Sequence, residues 1–217
     1  MVHLMSIPLF TLLALAAAAP FDGDLKLGMI SRQAGGAANC KQMMVVFARG
    51  TTEPAPIGLI AGPPLQTALQ GKVGAGNLDF QGVDYPADVA GFLAGGDAGG
   101  SKNMAQMVTQ AVADCPNSDV VMVGYRTDSQ GGQLVHNAAK QLDAATAAKV
   151  SSAVIFGDPD NPDPVAQIAD QKVICANGDL ICAGQAVILA PHLSYGSDAG
   201  EAADFISQNA KAGAAAA

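Results

Sequence analysis

Residues 120–135, V-V-M-V-G-Y-R-T-D-S-Q-G-G-Q-L-V, constrain this chain more than any other stretch. Four residues suited to a buried strand (Val120, Val121, Met122, Val123) stop at Gly124. A serine among small residues follows, then a segment with helical spacing. Strand, sharp turn bearing serine and helix together predict a nucleophile elbow, in which a tight turn lifts Oγ above the end of a parallel sheet. The usual pattern is G-x-S-x-G. Here Gly124-Tyr125 supplies its first half and Ser129-Gln130-Gly131 its second, with Arg126-Thr127-Asp128 between them.

The flanking sequence predicts more of the same sheet. Residues 43–48 (MMVVFA) and 152–156 are continuous apolar runs, as strands buried on both faces require. Residues 78–85 and 172–175 read as two further strands. A helix is expected from Pro63-Pro64 through Leu69, and another over 101–114, with Met104, Met107, Val108, Ala111 and Val112 as its apolar stripe and Ser101 as its cap. Two more are expected, from Gln130 to about Leu142 and over about 200–209. Residues 91–100 hold five glycines and predict a loop. Strands alternating with helices give an α/β class, with a central, mainly parallel five-stranded sheet and helices on both faces.

The 217 residues, half of them hydrophobic, suffice for one domain with a core. A net charge of −8 and a pI near 4.5 argue against nucleic acid, whose phosphates need a basic patch. Residues 1–19 are apolar, contain no Asp, Glu, Lys or Arg, and end in small residues. They predict a secretory signal peptide, the run 7–19 being too short for a membrane span. Residues 20–36 then read as a flexible lead or propeptide, and 37–210 as the folded domain. Residues 210–217 are an alanine-rich tail.

Four cysteines in a secreted chain predict two disulfides, for which three pairings exist. Cys175 and Cys182 lie seven apart around Asn177-Gly178-Asp179, a spacing suited to a small closed loop; Cys40 and Cys115 would then staple the N-terminal side to the core. No cysteine or histidine spacing suits a metal site, and no cofactor is implied.

Ester hydrolysis by a serine needs a base, a group that orients the base and donors for the oxyanion. Ser129, Asp179 and His192 occur in the chain order Ser, Asp, His. His3 falls in the signal segment, and His136 lies seven residues beyond the serine on the following helix. His192 is therefore the candidate base.

The segments FARGTTEP (47–54), CP…VMVGY…SQGG (115–132) and C-x-N-G-D-L-I-C…APHLSYG (175–196) resemble fungal cutinase, and the resemblance extends from Cys40 to about Asn209. It implies a lidless secreted α/β-hydrolase that cleaves esters of plant cutin and small soluble esters. Residue by residue, it assigns Ser129 as nucleophile, Asp179 as acid and His192 as base. Thr51 and the N–H of Gln130 become the oxyanion donors. The implied disulfides are Cys40–Cys115 and Cys175–Cys182. Leu180, Ile181, Val187, Ile188, Leu189 and Tyr85-Pro86-Ala87 would supply a hydrophobic rim. The expected partners are the cuticle polyester or a small ester, with no membrane span, and a monomer.

The resemblance departs at the elbow, where the family reads G-Y-S-Q-G. Three extended residues span about 10 Å. They either bulge out after Tyr125, leaving Ser129 at the helix start, or displace the elbow and leave an inactive scaffold, or reflect a shifted splice boundary. Two alternatives accompany cutin hydrolysis: acetylxylan esterase activity, and a catalytically impaired protein that binds a surface or is perceived by a host.

Overall fold

The computed structural model describes residues 40–125, 130–180, 182 and 193–211. The expected signal peptide and lead lie outside them. Five strands form one sheet: β1 (Met43–Ala48), β2 (Leu78–Gly82), β3 (Asp119–Tyr125), β4 (Val150–Phe156) and β5 (Gln171–Ile174). The spatial order is β2-β1-β3-β4-β5, and every neighbouring pair is parallel. Among the described residues six α-helices accompany them: α1 (Gly62–Val73), α2 (Val89–Leu93), α3 (Ala98–Asp114), α4 (Gln130–Ala139), α5 (Ala144–Ala147) and α6 (Ala199–Gln208).

Successive strand side chains point to opposite faces, so a strand apolar throughout feeds two cores. Val46, Val120, Met122, Ala153 and Ile155 pack with Met104 and Val108 of α3 and Leu134 and Val135 of α4. Val45, Phe47, Val121, Val123, Val154 and Phe156 pack on the other face with Leu65 and Leu69 of α1 and Ala202 and Ile206 of α6. The chain leaves β1 toward β2 on one side of the sheet, while β3 lies on the other side of β1. The strand order therefore reverses between β1 and β3. The crevice outside the carboxyl ends of two such strands is where open α/β sheets bind ligands.

Several expectations need correction. β2 ends at Gly82, and residues 83–85 continue as connecting chain. Strand β3 runs through Gly124 to Tyr125. Helix α1 extends four residues beyond Leu69, to Val73. Residues 91–100 are not all loop: α2 covers 89–93, capped by Asp88, whose Oδ1 accepts Gly91 N–H at 2.8 Å. Helix α3 starts at Ala98 under Asp97. Ser101 is therefore inside that helix, where its hydroxyl bonds back to Asp97 O at 2.8 Å. Aspartate caps outweighed the helix-breaking tendency of the glycines.

Candidate active site

β1 is followed by Arg49-Gly50-Thr51, a loop held by buried polar groups. The Arg49 guanidinium donates to Glu53 O (2.9 Å), Val83 O (3.3 Å) and Tyr85 O (2.6 Å), and lies over the Tyr85 ring. The Tyr85 hydroxyl donates back to Arg49 O. Burial, the largest influence, pushes the Tyr85 phenol well above its ordinary range; the nearby charges of Glu53 and Asp97 add to this, and Arg49 opposes it. It thus stays a donor. The Glu53 carboxylate accepts the N–H groups of Gly50, Leu59 and Ile60 at 2.9–3.0 Å. Thr52 takes a left-handed φ of 65° and donates its N–H to Ala87 O at 2.6 Å. Together these bonds fix Thr51, which is fully buried.

Helix α4 brings the second candidate oxyanion donor to the same place. The Gln130 N–H points at Thr51 Oγ1, 3.4 Å away. The Gln130 side chain donates to Asp88 O, tying α4 to the cap of α2. This approach depends on glycine: a Cβ on Gly131 would lie 2.1 Å from Tyr125 O and 2.5 Å from Ala48 O. A Cβ on Gly124 would meet Gly131 O at 2.4 Å. The start of α4 therefore rests directly on the ends of β1 and β3, although four residues separate it from Tyr125.

The candidate acid sits beyond β5. Asp179 is buried and follows Gly178, whose φ of 84° makes the turn. The Asp179 N–H donates to Ala176 O at 2.9 Å, and Asp179 Oδ2 accepts the Tyr195 hydroxyl. Disulfides join Cys175 to Cys182 around this loop and Cys40 to Cys115 at the start of the domain. Ser129 and His192 lie outside the described residues, as do Ile181 and 187–189 of the expected rim.

Tyr85 is not part of a rim: it is buried beneath the Thr51 loop, because Arg49 needs it there. Four apolar residues that sequence reasoning missed are exposed: Leu59 in the loop after β1, Val89 and Leu93 on α2, and Leu193 after His192. Single leucines and valines in loops or on a five-residue helix carry no periodic signal, so the sequence does not flag them. His136 is also accounted for. It bonds Asp158 Oδ2 at 3.0 Å, both side chains being buried. Asp160 lies close enough to share an ion with them. Asp158 Oδ1, however, already takes the Asp160 N–H at 3.0 Å, so the carboxylate is engaged through both oxygens. A separate groove is lined by Met44, Gln81, Met107 and the Cys40–Cys115 disulfide and includes none of these groups.

Residues 39–210 match the family model of Cutinase. The cutinase of Botryotinia fuckeliana is 53% identical over 173 residues, 79% of this chain and 84% of that protein. This chain belongs to the cutinase family. The cutinase of Monilinia fructicola is 54% identical over 171 residues, 78% of this chain and 83% of its own. Among solved structures, Trichoderma reesei cutinase in complex with a C11Y4 phosphonate inhibitor aligns at a TM-score of 0.74 and 42% identity, covering 80% of this chain and 78% of that one. An acetylxylan esterase aligns at a TM-score of 0.60 and 20% identity over 78% of this chain and 99% of that one, a likeness of fold. As a member of the family, the chain is a carboxylic ester hydrolase with the α/β-hydrolase fold.

Proposed function

We propose that this cutinase-family chain is a secreted serine esterase acting on cutin and small soluble esters through Ser129, His192 and Asp179. The observation that carries the reading is the convergence of the Gln130 N–H and Thr51 at 3.4 Å, at the carboxyl ends of β1 and β3. Ser129 directly precedes Gln130 in the sequence, and in this reading it is the nucleophile that these two groups serve. Its attack on the ester carbonyl forms a C–O bond, and His192 takes the hydroxyl proton. Thr51 and the Gln130 N–H stabilise the oxyanion. His192 returns the proton to the leaving alcohol, and water then hydrolyses the acyl-enzyme by the same steps. Asp179 orients the imidazole and stabilises its charge.

Arg126-Thr127-Asp128 is read as a bulge. What supports this is that Gly131 still abuts Tyr125 O and that α4 begins at Gln130 despite the extra residues. The exposed apolar side chains of Leu59, Val89, Leu93 and Leu193 suit an acyl chain better than an acetylated sugar. Secretion is supported by the two disulfides and the apolar first 19 residues.

The test is hydrolysis of p-nitrophenyl butyrate and of cutin by the protein beside a variant lacking residues 126–128 and beside Ser129→Ala. Comparable activity in the first two and none in the third is expected. A silent parent with an active deletion variant would mean a displaced elbow. Faster release of acetate from acetylated xylan than of fatty acid from cutin would overturn the substrate assignment.

A further inference from the structure

Tyr195 is fully buried, three residues after His192, and its hydroxyl meets the Ala176 N–H, Asp179 Oδ2 and, at 3.8 Å, the disulfide sulfur of Cys182. It accepts the Ala176 N–H at 3.2 Å and donates to Asp179 Oδ2. A lone pair is committed to the amide and a disulfide sulfur at 3.8 Å is a weak acceptor, so the hydroxyl proton is directed at the carboxylate. The ring is held edge-on by Tyr125, with centroids 5.8 Å apart, and by Phe156 at 5.9 Å. One side chain therefore touches the last residue of β3, from which the chain runs into Ser129, the last residue of β4, and the candidate acid.

We propose that the Tyr195 hydroxyl is a positioning group for ester hydrolysis, holding the Asp179 carboxylate in the rotation its histidine requires. This rests on the reading of Asp179 as the triad acid. The χ2 torsion of an aspartate is broad and soft, so a carboxylate on a seven-residue disulfide loop needs a partner to fix it. A donor on a ring wedged between two strand ends is such a partner. A neutral phenol also leaves the negative charge of the carboxylate in place, where an arginine or lysine would offset the charge that stabilises the imidazolium. Burial first, and the bond to Asp179 second, push the phenol above its ordinary range and keep it protonated. Packing alone would be served by phenylalanine, which fills the same space without the hydroxyl.

The experiment compares the secreted wild-type protein with Tyr195→Phe, Asp179→Ala and the double variant, on p-nitrophenyl butyrate. Tyr195→Phe keeps the ring contacts, so Tm is expected within about 4 °C of wild type. Its kcat should fall about tenfold or more with KM nearly unchanged, as for a small misplacement of a catalytic group. In the Asp179→Ala background the same change should cost nothing further, since the hydroxyl would act through a carboxylate already removed. Phe156→Leu serves as the packing control and should lower Tm with less loss of kcat. Unchanged kcat in Tyr195→Phe overturns the inference, as does a loss that persists undiminished in the Asp179→Ala background. Unchanged kcat in Asp179→Ala alone would instead overturn the triad assignment on which it rests.

Discussion

Thr51 is completely buried although it sits in a loop, and the polar groups around it are partnered both within that loop, through Glu53, and across to Tyr85. Arg49, Glu53 and Tyr85 form a scaffold whose product is one fixed hydroxyl facing one fixed amide. Preorganisation of this kind is where oxyanion stabilisation gains its advantage over water, because no dipole has to reorient as charge develops. Thr51→Ala removes the hydroxyl and leaves the scaffold. It should lower kcat about a hundredfold with Tm unchanged, as measured by steady-state hydrolysis and thermal unfolding. An equal loss expressed in KM would mean that Thr51 binds substrate rather than the transition state.

At the scale of elements, α4 is held at its first and second turns. Its first residues press on the ends of β1 and β3 through Gly131, and its second turn is anchored to the chain after β4 by His136 and Asp158. Both side chains are buried, so removing one leaves the other desolvated and unpaired. Asp158→Ala should cost about 3 kcal/mol, a fall of roughly 10 °C in Tm. Replacement of both by apolar residues of similar volume should recover part of that loss, since the desolvation of both groups is removed while the Asp160 N–H loses its acceptor. Calorimetry on the single and double variants separates the two expectations. A merely additive loss in the double variant would show that the pair is not coupled.

At the scale of the whole molecule, the two disulfides have different work. Cys40–Cys115 closes a span of 75 residues and Cys175–Cys182 one of seven. Chain entropy then assigns about 4.5 kcal/mol to the first and about 2.3 kcal/mol to the second. Cys40→Ser with Cys115→Ser should therefore lose more stability than Cys175→Ser with Cys182→Ser. Activity should follow the opposite order, because the short loop carries Asp179. Urea unfolding and esterase assays on the two paired variants check this, and matching orders in both would break the assignment of roles.

The sequence by itself determined the strands, because a parallel sheet buried on both faces leaves runs such as MMVVF and VVMV with no polar phase. It also determined the helix following Ser129 and, through the GDLIC and HLSYG blocks, the family. It misjudged residues 91–100, where Asp88 and Asp97 caps start helices that the glycines conceal. What only the tertiary structure decided is the pairing of buried polar groups. Tyr85 meets Arg49 across 36 residues, Gln130 meets Thr51 across 79, His136 meets Asp158 across 22 and Tyr195 meets Asp179 across 16. Periodicity and caps are written within a few residues of where they act. A buried hydroxyl or carboxylate takes whichever partner the crossovers of the sheet deliver to it, and that choice exists once the strands are ordered β2-β1-β3-β4-β5.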